Sequence, residues 1–295
     1  MSLAQRALDG ILRGSPATRA GRARLKAAIE ARKLLIRLGD PTVRYRVGDA
    51  ELLLPLSHEL PFYRSDHPLY GEAVGRIAAR LGGPVVDIGA NVGDTAAIVR
   101  AHSDVPILCV EGDDVFFPLL ERNAERLGDV ELERAFVGDS LLRADEGSVE
   151  RSRGTARLVG ANPLTSPLSE ILERHPRFAR PALLKLDTDG MDVPIVMANL
   201  GLLESVRPVL FFEYDPHLGA RPEIFVTLCC KGYDRALVFE NTGECRETLE
   251  LADSERAAAL HREYTGHGGA RYVDVCVLPR EVELVIEPLS AVRRG

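Results

Sequence analysis

From Pro84 onward, short apolar runs alternate with stretches of helical periodicity, and no other feature limits the possible fold so sharply. The runs are 84–88 (PVVDI), 106–110 (PILCV), 130–137 (VELERAFV), 182–186 (ALLKL), 208–213 (PVLFFE), 235–239 (RALVF) and 272–278 (YVDVCVL). Helical patterns occupy 95–102, 115–127, 193–203 and 221–231. Short apolar strands alternating with helices predict a mostly parallel sheet covered on both faces. The last two runs are separated by a polar stretch, 240–269, that is glycine-rich at its end, so an antiparallel terminal pair is expected. Residues 138–165 are polar and read as an excursion, an extra hairpin.

The chain before Pro84 has a different character. Residues 1–40 read as helical with a break near Gly14-Ser15-Pro16, because Leu25, Ala28, Ile29, Leu35 and Leu38 recur at helical spacing. Residues 41–70, with Pro41, Pro55, Pro61 and Pro68, read as irregular, and a helix is expected over 71–81. The expected division is an N-terminal extension over 1–70 that caps the substrate, an α/β domain over 71–285 and a tail over 286–295.

Composition narrows the function classes. Hydrophobic residues make up 45% of 295 residues, enough for a sizeable core without disulfide staples. No apolar run is long enough to cross a bilayer, and the first thirty residues hold no apolar signal segment. The five cysteines form no CxxC pair, which speaks against a structural zinc site and for a reducing cytoplasm. A net charge of −7 disfavours non-specific nucleic-acid binding. Residues 1–40 nevertheless carry nine Lys/Arg against three Asp/Glu. That excess reads as a solvated basic helix over an acidic body, or as a cap over an acidic ligand.

Ligands of such sheets lie beyond the carboxyl ends of the strands, where the loop Asp87-Ile88-Gly89-Ala90-Asn91-Val92-Gly93-Asp94-Thr95 follows the first run. A nucleoside triphosphate would need GxxxxGK[ST], which is absent. A dinucleotide would need GxGxxG, but Asn91 and Asp94 stand where the second and third glycines belong. Asp94 also puts a carboxylate at a helix N-terminus, where a pyrophosphate wants bare amides. S-adenosylmethionine has no phosphate and carries a positive sulfonium, so an acidic loop suits it. Asp94 or Thr95 can then cap the next helix, Asn91 tolerates positive φ, and Gly89 and Gly93 permit close backbone approach. Glu111, at the end of the second run and 22 residues after Gly89, is placed to accept ribose hydroxyls.

The fourth run ends in LKLDTDGMD, residues 184–192. Asp187 and Asp189 are candidate acceptors for a proton from a hydroxyl nucleophile and candidate Mg²⁺ ligands. Asp192 and Asp189 also suit a cap on the helix that follows, whose Pro194 fits a first turn. Lys185 has Asp87, Asp187 and Glu213 as candidate ion-pair partners. The fifth run ends in FFEYDPH, which offers Glu213, Tyr214 and His217 to an acceptor, His217 as a base near neutral pH.

VVDIGANVGDT, CVEGD, AFVGD, LLKLDTDGMD, LFFEYDP, KGYDRALVFENTG and YVDVCVLP come in the order seen in FkbM-family methyltransferases, and the resemblance spans roughly residues 65–280. It implies a class I, Rossmann-like methyltransferase fold: a seven-stranded, mostly parallel sheet with helices on both faces and an antiparallel C-terminal pair. It implies S-adenosylmethionine as cofactor and O-methylation of a small-molecule hydroxyl, on a natural product or a sugar. By carry-over, Asp87, Gly89, Ala90, Asn91, Gly93, Asp94 and Thr95 shape the methionine side, Glu111 and Gly112 hold the ribose, and Phe136 and Val137 flank the adenine. Asp187 lies near the methyl donor, and Tyr70 and Glu72 close over the cofactor. The chain departs from the family's DxEGxE, having DTDGMD, which shortens both acids by a methylene. N-methylation on the same scaffold, and a silent cofactor- or partner-binding member, are the alternatives that remain at this point.

Overall fold

A computed structural model describes residues 1–138, 146–152, 154–161, 165–265 and 272–284. The expected tail over 286–295 lies outside them. The chain opens with α1 (Leu3–Leu12) and α2 (Arg19–Arg37), which are capped by the Ser2 and Thr18 side chains and separated where the break is expected. Residues 41–70 are more ordered than their prolines suggest. Strands β1 (Thr42–Val47) and β2 (Ala50–Pro55) form an antiparallel hairpin, and α3 (Leu60–Asp66) follows with Pro61 in its first turn.

The α/β part begins with α4 (Glu72–Leu81), which leads into β3 (Val85–Ile88), α5 (Asp94–His102), β4 (Ile107–Val110), α6 (Phe117–Ala124) and β5 (Val130–Glu133). The run expected as one strand over 130–137 is broken. The Ala135 amide turns to the Glu111 carbonyl, and the chain leaves the sheet as β6 (Phe136–Val137). The polar excursion contains the expected hairpin, β7 (Glu146–Ser152) against β8 (Thr155–Ala161), before β9 (Thr165–Ser166) pairs with β6. Next come α7 (Leu168–Arg174), β10 (Leu183–Leu186), α8 (Asp192–Ala198), α9 (Leu200–Val206), β11 (Val209–Tyr214) and α10 (Glu223–Cys230). The chain then forms β12 (Tyr233–Glu240), β13 (Cys245–Glu250), α11 (Ser254–Thr265) and β14 (Val273–Pro279).

The main sheet runs β13-β12-β14-β11-β10-β3-β4-β5. Its β5, β4, β3, β10 and β11 are parallel, and β14 lies antiparallel between β11 and β12. All seven expected strands reach the sheet, the third in shortened form. An eighth, β13, extends the edge as a hairpin with β12. Helix α11 supplies cover between β13 and β14 that the polar sequence there does not advertise.

Strand alternation sends Val86, Ile88, Leu184, Leu210 and Phe212 to one face, packed with α7 to α11. Val85, Ile107, Leu183 and Val209 go to the other, against α4, α5 and α6. That second core is shared with the extension: Ala4, Leu8, Val43, Val47, Leu52, Leu54 and Leu56 belong to it. Asn123 of α6 is fully buried and stitches the two together. Its Oδ1 accepts from the Leu53 amide at 2.7 Å, and its Nδ2 donates to the carbonyls of Leu53 at 2.9 Å and Val92 at 2.8 Å. Val92 lies in the glycine loop, so the extension holds that loop from below.

Candidate active site

The carboxyl ends of β3, β4, β10 and β11 open into one cleft with two halves. The first is bounded by Gly89, Asn91, Glu111, Gly112, Phe136 and Val137 and by Asp187 to Asp189. The second lies toward β11 and β14 and is bounded by Tyr70, Asp94, Thr95, Lys185, Glu213 and Asp274. Asp187 borders both.

The loop after β3 has the backbone that its sequence predicts. Gly89, Asn91 and Gly93 all have positive φ, at 78°, 50° and 87°. At Gly89 the reason is contact as well as conformation, because an added Cβ would lie 1.9 Å from the Asp187 carbonyl oxygen. The Gly89 and Ala90 amides donate to the Val110 carbonyl at 2.9 and 3.1 Å, which folds the loop back over β4. Gly93 caps α5, so Asp94 and Thr95 sit in its first turn and face the second half of the cleft.

Glu111 stands in the wall of the first half, 7% exposed. Its Oε2 accepts from the Asn91 amide at 2.8 Å and its Oε1 from the Asp113 amide at 2.7 Å. Burial raises its pKa, against the opposing pull of those backbone bonds. Each carboxylate oxygen has a further lone pair for a ligand hydroxyl. Gly112 is packed so closely under Phe136 that a Cβ would lie 2.4 Å from the ring, which sets the ring at the cleft wall.

The β7–β8 hairpin reaches over this half. Arg151 Nε meets the buried Asp113 at 2.7 Å, the Gly154 carbonyl accepts from Asn91 Nδ2 at 2.8 Å, and Ala156 lines the cleft. His58, buried beside α3, approaches Asn91 Oδ1 at 3.2 Å. None of these contacts was foreseen from the sequence, because each joins segments far apart along the chain.

Beneath the loop, Asp87 is wholly buried beside Lys185, whose Nζ lies 3.0 Å from Asp87 Oδ1 and 3.2 Å from Asp187 Oδ2. The Asp87 contact is an ion pair rather than an aligned hydrogen bond, and neither carboxylate oxygen makes a hydrogen bond among the described residues. Burial pulls the Lys185 pKa down, but Asp187, Asp87 and Asp94 outweigh it and keep the ammonium charged. Asp87 therefore braces the loop and Lys185 from below and does not itself border the cleft.

Asp192 is a clamp between strands more than a helix cap. Its Oδ1 accepts from the Thr188 amide at 2.8 Å and from the Thr188 hydroxyl, and its Oδ2 accepts from the Glu213 amide at 3.0 Å. Burial pushes its pKa up to about 6. The clamp fixes the β10 loop against β11 and so sets Asp187 and Glu213 relative to each other. Burial, with Asp187, Asp192, Asp274 and Asp215 nearby, pushes Glu213 up to about 10. Asp274, directly across from Glu213 on β14, is pushed up to about 8, again chiefly by burial.

Two expected site residues point elsewhere. His217 is exposed and its Nε2 meets the Tyr264 carbonyl at 3.0 Å, because the turn after β11 carries it toward α11. Glu72 bonds Arg64 at 3.3 Å and His102 at 3.0 Å, which ties α4 to its neighbours instead of closing over the cleft. Asp189 borders the first half, at φ 51°. Among the described residues, no three His, Cys, Asp or Glu side chains are grouped to hold a metal, so Asp187 and Asp189 find no third ligand there. Asp274 and Tyr272 escaped the sequence reading, although an acid within the apolar run YVDVCVL was a usable signal.

Residues 87–251 match the model of the methyltransferase FkbM domain. The chain belongs to the FkbM methyltransferase family. Its members are S-adenosylmethionine-dependent methyltransferases, and the strand order described above is that of a class I methyltransferase sheet. No curated protein matches the chain. Among solved structures, it is similar to the METTL16 methyltransferase domain at 12% identity, covering 94% of this chain and 92% of that one, with a TM-score of 0.49. It is also similar to precorrin-6y C5,15-methyltransferase from Geobacter metallireducens at 13% identity, covering 70% and 86%, with a TM-score of 0.36. No described helix of this family member is long and apolar enough to cross a membrane.

Proposed function

We propose that this FkbM methyltransferase methylates a hydroxyl of a small molecule, with the cofactor's adenosine in the first half of the cleft and the acceptor in the second. The observation that carries the reading is the place of Asp187, at the junction of the two halves, against the Gly89 turn that only a residue without a Cβ can make. The cradle suits S-adenosylmethionine, which supplies an electrophilic methyl group on a positive sulfonium. Glu111 holds the ribose hydroxyls, and Phe136 and Val137 flank the adenine. In-line transfer asks mainly for alignment and for an acceptor of the hydroxyl proton. Asp187 is the group for that proton. Glu213 keeps its own proton near neutral pH and is the poorer base. The acidic surroundings of the junction also favour a positive centre there.

Isothermal titration with S-adenosylhomocysteine tests the assignment. Glu111→Ala should weaken binding by about 1.5–3 kcal/mol, the worth of hydrogen bonds to a charged group. An unchanged affinity removes Glu111 from the ribose. Asp187→Asn should bind as tightly as the parent and lose turnover, and full turnover in that variant would remove Asp187 as proton acceptor.

A further inference from the structure

The N-terminal extension, the glycine loop and the β7–β8 hairpin meet at one buried imidazole. His58 lies between β2 and α3 and is 6% exposed. The hairpin backbone packs against its ring so closely that a Cβ added at Gly154 would lie 2.7 Å from it. The Phe116 ring stands edge-on to it, with centroids 5.9 Å apart. Both ring nitrogens are engaged. Nδ1 accepts from the Leu60 amide at 3.1 Å, so it carries no proton. The one proton of the neutral ring is therefore on Nε2, which faces Asn91 Oδ1 at 3.2 Å. That contact in turn fixes the Asn91 amide. With Oδ1 turned to His58, Nδ2 donates to the Gly154 carbonyl at 2.8 Å. The reverse orientation would set two oxygens together at Gly154 and two N–H donors together at His58. A second ring proton would likewise point at the Leu60 N–H. Burial lowers the His58 pKa, against the Asn91 bond and the carboxylates of Asp94, Glu59 and Asp40, which agrees with a neutral ring.

We infer that His58 is a positioning residue for the cofactor: its Nε2–H orients Asn91, which holds Glu111 toward the ribose and ties the β7–β8 hairpin over the adenosine half. The inference rests on the cofactor half being assigned as above. His58 borders neither half of the cleft, so it touches no ligand there. Its effect passes through Asn91 in two directions. The Asn91 side chain meets the hairpin at Gly154, and the Asn91 backbone N–H meets Glu111 Oε2 at 2.8 Å. Asn91 sits at φ 50°, a backbone state that costs free energy in a residue with a Cβ, and the His58 bond offsets that cost. The order of control runs from the Leu60 amide, through the ring, to the loop. By this route a residue of the extension sets the geometry of the ribose site from behind.

Two substitutions separate the ring's nitrogens. His58→Asn keeps an acceptor near the Nδ1 position for Leu60 and loses the reach to Asn91. His58→Gln keeps a donor near the Nε2 position and loses the Leu60 acceptor. In hydrogen exchange of the full chain without ligand, His58→Asn should speed exchange at the Asn91 amide by about fivefold or more and leave the Leu60 amide protected. His58→Gln should do the reverse. Equal changes at both amides in both variants mark a loss of packing alone and overturn the inference, as does an unchanged Asn91 amide in His58→Asn. Long-range nitrogen–proton spectra of the unmutated protein need no variant. They should show a neutral His58 ring with its proton on Nε2 near neutral pH, and a proton on Nδ1 or a charged ring overturns the inference. In titration with S-adenosylhomocysteine, His58→Asn should weaken binding by about five- to tenfold, and His58→Gln should recover most of that loss. Equal losses in the two variants overturn the link to the cofactor. In an Asn91→Ala background, His58→Asn should add little further loss, and an undiminished loss there overturns the route through Asn91. If the unmutated chain does not bind S-adenosylhomocysteine, the cofactor assignment fails, and the exchange rates and ring spectra still decide whether His58 orients Asn91.

Discussion

Asp274→Asn is the sharpest probe of the electrostatics of the second half of the cleft. The substitution keeps shape and removes one charge from the Glu213–Asp274 pair. In the fold, Asp274 is pushed from its ordinary 3.8 up to about 8, first by burial and then by Asp187, with Lys185 opposing. Each pH unit of difference is worth about 1.4 kcal/mol, which sets a ceiling of roughly 5–6 kcal/mol. The carboxyl is partly open to the cleft, and water there screens the charge, so about 2 kcal/mol is the realistic figure. The sign follows from proton linkage. The folded carboxyl binds its proton more tightly than the unfolded one, so ionisation costs stability. That cost is absent below about pH 4, accumulates as the pH climbs, and is complete above about pH 8. Urea unfolding of the two proteins should therefore agree near pH 4 and diverge to about 2 kcal/mol near pH 9, with the variant the more stable. Parallel stability curves, or a variant that is less stable at high pH, would refute the reasoning.

Other outcomes follow from the site's geometry. Gly89→Ala should abolish S-adenosylhomocysteine binding and lower the melting temperature, since its Cβ would lie 1.9 Å from a backbone oxygen that cannot swing aside. A variant that binds normally would place the cofactor elsewhere. Asp192→Ala leaves the Thr188 and Glu213 amides without their acceptor and should cost about 2–4 kcal/mol in thermal or urea unfolding. A neutral result would show that the clamp is dispensable.

The sheet was legible because its parallel strands are buried on both faces, and runs such as VVDI and ILCV have few other fates. The glycine loop was legible for a similar reason. Gly89, Asn91 and Gly93 are the residue types that accept the positive φ they are found to have. The β1–β2 hairpin was hidden by its flanking prolines, although TVRYRV alternates as a strand should, with Val43 and Val47 buried. The site was less legible than the fold. Asp192 looks like any acid at the start of a helix, and only tertiary structure brings the Glu213 amide within its reach. His217 follows the right strand, but a tight turn one residue after Asp215 decides where its ring goes. Spacing along a chain says which strand end carries a residue; it does not say which way the next turn faces.

The Asn123 amide meets β2 on one side and the glycine loop on the other. A chain begun at Pro84 would keep every residue proposed to touch the cofactor except Tyr70. It would also leave a buried amide with its β2 partners gone, directly under the turn that must hold its shape. The cofactor loop is thus answerable to a side chain that lines neither half of the cleft, and a substitution at Asn123 should register as a loss of cofactor affinity. Exchanging N-terminal segments between relatives would have to keep the β2 backbone in reach of Asn123.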